Sequence, residues 1–89
     1  MSRPLLMLVD DCPEMGVIVA CLGKRAGWEV RVCLDAETAW VALSQGRPDL
    51  VLLDVNLLGA SGPEWLRRVR AAPDFAGLPV ALYLSLIHI

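Results

Sequence analysis

Short, wholly apolar runs alternate along this chain with segments whose apolar residues recur at helical spacing. Leu5-Leu6-Met7-Leu8-Val9 is apolar at every position, the pattern of a strand covered on both faces. Asp10 and Asp11 end it, and Pro13 stands where a first helical turn tolerates proline. Met15, Ile18, Val19, Leu22 and Ala26 then predict the inward face of a helix, with Gly27 as its C-cap. Trp28 to Leu34 predicts a second strand. Asp35 is placed to cap a second helix with Ala36, Ala39, Trp40 and Leu43 inward, closed by Gly46. Asp49 to Leu53 starts a third strand, again apolar from Leu50 onward, that ends at Asp54. Val55 to Ala60 reads as a loop. Ser61-Gly62-Pro63-Glu64 has the form of a capping box with proline in the first turn. Trp65, Leu66 and Val69 give the third helix its apolar side before Pro73, and Pro79 opens a fourth apolar run.

The order β-α-β-α-β-α-β with short connections predicts an α/β fold, a doubly wound parallel sheet with helices on both faces. Ligands of such sheets bind beyond the carboxyl ends of the strands, where strand order reverses. That end carries Asp10 and Asp11 after the first strand and Asp54 after the third. Each aspartate by itself reads as a cap or strand terminator. Three carboxylates at neighbouring strand ends repel one another unless a positive charge sits among them, and a hard divalent cation such as Mg²⁺ is the simplest solution. A carboxylate in that setting can also act as a nucleophile toward a phosphoryl group.

Composition narrows the possibilities. The 89 residues make one small domain, and 56% hydrophobic with 20% charged residues excludes a disordered chain. A net charge of -2 offers no electrostatic footprint for direct nucleic-acid binding or for an anionic membrane. No run approaches the ~18 apolar residues of a membrane span. Met1 to Val9 resembles the start of a signal peptide, but two aspartates cut it short and no small-residue cleavage site follows. Cys12, Cys21 and Cys33 are odd in number and contain no CxxC pair, which speaks against a disulfide framework or zinc site and for a cytoplasmic protein.

Leu8-Val9-Asp10-Asp11-Cys12-Pro13, then Leu53-Asp54-Val55-Asn56, then Gly62 eight places after Asp54, resembles the response-regulator receiver domain of two-component signalling. The resemblance covers roughly Leu5 to Leu82. It implies a flavodoxin-like fold of strand order 2-1-3-4-5, here reaching only 2-1-3-4, with the fifth strand and last helices missing. It implies that Asp54 accepts phosphate from a phosphohistidine. Asp11 would be the direct Mg²⁺ ligand, Asp10 the acidic partner acting through water, and Asn56 the residue whose backbone carbonyl completes the ligand set with Asp54. Gly62 matches the glycine that begins the third helix. The implied partners are a sensor histidine kinase or phosphotransfer protein and an output domain outside this chain. The implied activity is the domain's own phosphotransfer, not that of an enzyme.

Several positions depart from the family pattern. Leu58, followed by Gly59, stands where the family has proline. The Thr or Ser expected at the end of the fourth strand falls at Leu84, with Ser85 one residue late. The only lysine, Lys24, lies on the first helix, not at the end of a fifth strand. These departures leave a second function open, a non-switching pseudo-receiver acting as an interaction module. An aspartate-nucleophile phosphatase fits less well, because Asn56 stands where its second acid belongs. Ser85 to Ile89 resembles the translated read-through of a sequencing adapter. The expected division is a partial receiver unit over residues 1–84 and a non-native tail over 85–89, the alternative being a native strand end that continues into an apolar helix.

The remaining conspicuous residues read as structural. His88 has no carboxylate neighbour in sequence, and Cys12 is a spacer beside two acids. Trp28, Trp40 and Trp65 pack. Arg67, Arg68 and Arg70 form a solvated face, with Glu64 supporting Arg68 one turn away. A sheet ending at Val80 to Leu84 is expected to present an apolar edge and to leave Leu6 or Leu8 poorly covered.

Overall fold

A computed structural model describes residues 3–57 and 60–84. The elements are β1 (Leu5–Val9), α1 (Pro13–Arg25), β2 (Glu29–Cys33), α2 (Ala36–Gln45), β3 (Leu50–Asp54), β4 (Asn56–Leu57), β5 (Ala60–Ser61), α3 (Gly62–Ala71), a 3-10 turn at Pro73–Phe75, and β6 (Val80–Tyr83). Four strands form one parallel sheet in the order β2-β1-β3-β6. With the two ribbon strands set aside, this is the expected 2-1-3-4. Asp49 ties the sheet's amino end together: its backbone N–H donates to the Leu5 carbonyl (2.8 Å), and its Oδ2 accepts from the Leu5 N–H (2.7 Å).

One face of the sheet is closed by α2 and α3. Met7, Val9, Val51 and Leu53 project from the strands into a core completed by Ala39, Leu43, Trp65, Val69 and Leu78. Asp35 caps α2 through the Thr38 N–H (2.7 Å), as its position predicts. The far end of α2 is held by a residue the periodicity did not mark. Arg31 on β2 donates to the carbonyls of Ala42 (3.1 Å) and Gly46 (3.2 Å), placing a cation at a helix C-terminus. Trp65 is buried and donates its indole N–H to the Ala36 carbonyl (3.0 Å), which joins α3 to the start of α2.

The expected inward face of α1 is corrected. Ile18 and Leu22 are 48% and 59% exposed, and the residues buried against the sheet are Gly16 and Gly23. A Cβ at Gly16 would come within 2.8 Å of Val32 Cγ1, and one at Gly23 within 2.5 Å of Val30 Cγ2. The missing side chains let the helix settle directly on β2; Ile18 and Leu22 turn outward, while Met15 and Val19 of the expected face stay half-buried. Leu6 and Leu8 are buried, so the uncovered apolar surface falls on the helix and on Val32 and Leu34 beside it, not on the first strand.

Three smaller expectations change as well. The loop after Asp54 contains an antiparallel ribbon, β4 against β5, too short to leave a periodic signal. Arg68 pairs with Glu37 on α2 (2.7 Å) and lies 4.0 Å over the Trp40 ring, so its ionic partner is not Glu64. Trp40 is half-buried at the rim, edge-on to Phe75. Leu58, Gly59, Ser85 and His88 lie outside the described residues.

Candidate functional site

The carboxyl ends of β1 and β3 lie side by side, because Val9 is paired with Leu53 in parallel register. The next residues along both strands are Asp10 and Asp54, and both are fully buried. Asp10 leaves the sheet in a tight turn: its Oδ1 accepts the Cys12 N–H (2.9 Å), while its own N–H donates to the Cys33 carbonyl (3.0 Å). Asp54 does the equivalent on β3, its Oδ1 accepting the Asn56 N–H (3.2 Å). Asx turns of this kind are the structural use of aspartate anticipated for a strand end. Here they also fix the carboxylates in place.

Asp11, next along the chain, is half-buried. Asp10, Asp11 and Asp54 each bring a carboxylate oxygen within 4.8 Å of the others. An all-oxygen, all-anionic donor set on rigid strand ends suits a hard divalent cation that keeps several waters, as Mg²⁺ does. Asn56 sits at the first residue of the ribbon strand, exposed, two residues past Asp54.

Gly62 secures the third helix against this end of β3. Its N–H donates to the Val55 carbonyl (2.9 Å), and a Cβ there would collide with the Asp54 carbonyl oxygen and the Val55 Cα (2.9 Å). Only glycine permits that approach. Ser61 then caps the helix by accepting the Glu64 N–H (3.1 Å).

A residue not singled out from the sequence completes the site. Tyr83 on β6 is the register partner of Asp54, and its hydroxyl donates to Asp10 Oδ2. Burial, then the bond to Asp10 and the nearby charges of Asp10 and Asp54, push the phenol above its ordinary pKa, so it stays a neutral donor. Strand pairing was the only signal that could have found it, since Tyr83 is remote from both aspartates in sequence. Leu84, at the expected hydroxyl position, is exposed. Lys24 lies in the last turn of α1, where the chain has run back toward the opposite end of the sheet.

Cys12 is buried as the residue preceding α1, and its thiol donates to Glu14 Oε2 (3.3 Å). Backbone hydrogen bonding, then the Cys12 thiol, hold the Glu14 carboxyl below its usual range. Among the described residues no helix is long and apolar enough to cross a membrane.

Comparison with known proteins identifies the family and the fold. Residues 6–84 match the family model described as the response regulator receiver domain. The phosphate regulon transcriptional regulatory protein PhoB of Rhizobium meliloti is 33% identical over 79 residues, covering 89% of this chain and 35% of that protein. The DNA-binding response regulator MtrA of Mycolicibacterium smegmatis is 32% identical over 80 residues, 90% of this chain and 34% of its own. The chain thus spans about a third of these two relatives. Among solved structures, the N-terminal domain of a response regulator receiver protein from Methanoculleus marisnigri superposes with a TM-score of 0.87 at 30% identity, covering 91% of this chain and 66% of that one. The chemotaxis response regulator CheY4 of Vibrio cholerae gives 0.86 at 25% identity, covering 91% and 68%.

Proposed function

The chain belongs to the response regulator receiver domain family, and on that premise we propose that Asp54 accepts a phosphoryl group from the phosphohistidine of a sensor kinase or phosphotransfer protein. The observation that supports this reading is the convergence of Asp10, Asp11 and Asp54 at adjoining strand ends. A carboxylate oxygen of Asp54 forms the new O–P bond as the N–P bond of the donor imidazole breaks. The electron pair stays on the ring nitrogen, which takes up a proton. Asp54 is aimed by the Asn56 N–H, and its backbone is braced by β6 and by Gly62.

Asp11 and Asp54 would hold Mg²⁺ directly, with the Asn56 backbone carbonyl, and Asp10 through water. The bound ion supplies charge neutralisation for the phosphoryl oxygens and for the three carboxylates. The domain is a signalling module whose chemistry is its own modification. Its output belongs to a further domain outside residues 1–84, which form the receiver unit, while 85–89 form a non-native tail. Independent reads across the locus test that division, and a native continuation after Ile89 that supplies a fifth strand would refute it.

Acetyl phosphate with intact-mass detection tests the chemistry. One phosphoryl group is expected with Mg²⁺ and none with a chelator. Asp54→Ala should gain none, and Asp11→Ala should lose Mg²⁺ binding. Phosphate on Asp54→Ala, or unchanged Mg²⁺ affinity in Asp11→Ala, would refute the assignment of the corresponding residue.

A further inference from the structure

Asp54 is fully buried, yet a phosphoacceptor has to meet its donor, so something over it must move. The strand order shows what that is. β3 lies between β1 and β6, so a side chain that starts on β6 and bonds a carboxylate at the end of β1 has to cross the end of β3. Tyr83 does this. It is the direct register partner of Asp54, it projects to the same side of the sheet, and its hydroxyl reaches Asp10 Oδ2 beyond. Its backbone is fixed at the spot, because the Tyr83 carbonyl accepts the Val55 N–H (2.8 Å) immediately after Asp54. The ring, not the strand, is therefore the part free to swing.

We infer that Tyr83 is a strap across the phosphoacceptor, closed by its bond to Asp10 and released before cation and phosphoryl donor engage the carboxylates. The inference rests on the reading of Asp10 and Asp54 given above. The strap makes Tyr83 a positioning residue with two effects. While closed, the phenol donates to a carboxylate that stands beside two others and so eases their repulsion. A cation, or the water through which Asp10 would hold it, has to share or displace that donor at Oδ2. Opening costs the hydrogen bond, so the closed strap lowers both Mg²⁺ affinity and the rate of phosphorylation. It also excludes donors that cannot induce opening.

Tyr83 is the chain's only tyrosine, which allows a test without any substitution. Its ring resonances in the wild-type chain, followed by NMR during a Mg²⁺ titration, are expected to shift with saturation as the phenol leaves Asp10. Tyr83→Phe keeps the ring and removes the bond. It should bind Mg²⁺ several-fold more tightly by calorimetry and take phosphate from phosphoramidate several-fold faster. Ring resonances unmoved by Mg²⁺, or Tyr83→Phe binding no tighter than wild type, would overturn the strap. The two readings separate cleanly. Phosphate on wild-type Asp54 with an unmoved ring sinks the strap and keeps the phosphoacceptor. A responding ring and tighter Tyr83→Phe binding without phosphate on either protein keep the strap and sink the phosphoacceptor.

Discussion

The two faces of the sheet are built from equally apolar strands but are covered very differently. On the α2–α3 face, Met7, Val9, Val51 and Leu53 are wholly buried. On the α1 face, Val32 remains 38% and Leu34 46% exposed, and α1 itself presents Val17, Ile18 and Leu22 to solvent. Width explains the difference. A helix with its side chains is about 10–12 Å across, while four strands spaced about 4.8 Å apart make a wider surface. Two helices cover it and one does not, and Gly16 and Gly23 draw α1 toward the β2 edge. The closed face therefore provides the rigid support on which Asp10 and Asp54 are held. The open face is the side to which Asp54 and Tyr83 project, where movement is possible.

The same kind of truncation should therefore have very unequal consequences on the two faces. Trp65→Ala removes a buried ring and its bond to Ala36. It should cost about 3–5 kcal/mol in urea unfolding. Overpacking comes next. Gly62→Ala forces a methyl against the Asp54 backbone, and Gly23→Ala forces one against Val30. Each should lose about 1–3 kcal/mol. Only Gly62→Ala should also impair phosphorylation, since it alone disturbs β3 at Asp54.

A smaller effect belongs to the cap of α2. Hydrogen bonding from Thr38 lowers the Asp35 pKa, so this contribution is complete above the ordinary aspartate range. It is lost as pH falls through the lowered folded value. Far-UV circular dichroism should show part of the acid-induced helix loss disappear in Asp35→Asn, which caps without titrating. An unchanged acid limb would remove Asp35 from the account. The smallest change is expected on the open face. Leu22→Ala deletes a residue already 59% exposed. It should stay within about 0.5 kcal/mol of wild type. A loss comparable to Trp65→Ala would show that the α1 face is closed in solution.

Much of this is legible in the chain itself. β1 is apolar at every position, and β3 up to Asp54, because strands inside a doubly wound sheet meet a layer on both sides. The Asp35 and Ser61 caps announced α2 and α3 because an exposed helix end has to find acceptors locally. What misled was α1, where apolar spacing pointed to Ile18 and Leu22. Periodicity weighs side chains by hydrophobicity, whereas close packing on Val30 and Val32 favours having no side chain at all. Spacing along α3 likewise offers Arg68 a partner in Glu64, whereas the fold supplies Glu37 from another helix.

Sequence alone determined the order of the sheet strands and helices, the parallel sheet and the three aspartates at its carboxyl end. These depend on local pattern and on the few topologies that short right-handed crossovers allow. Tertiary structure alone decided the contacts between residues distant in the chain. The Arg31 clamp on α2, the glycine face of α1 and the phenol of Tyr83 over Asp54 all depend on which strands become neighbours and in what register. A side chain's chemistry is written at its own position. Its partner is fixed only when the sheet brings two distant strand ends to the same place.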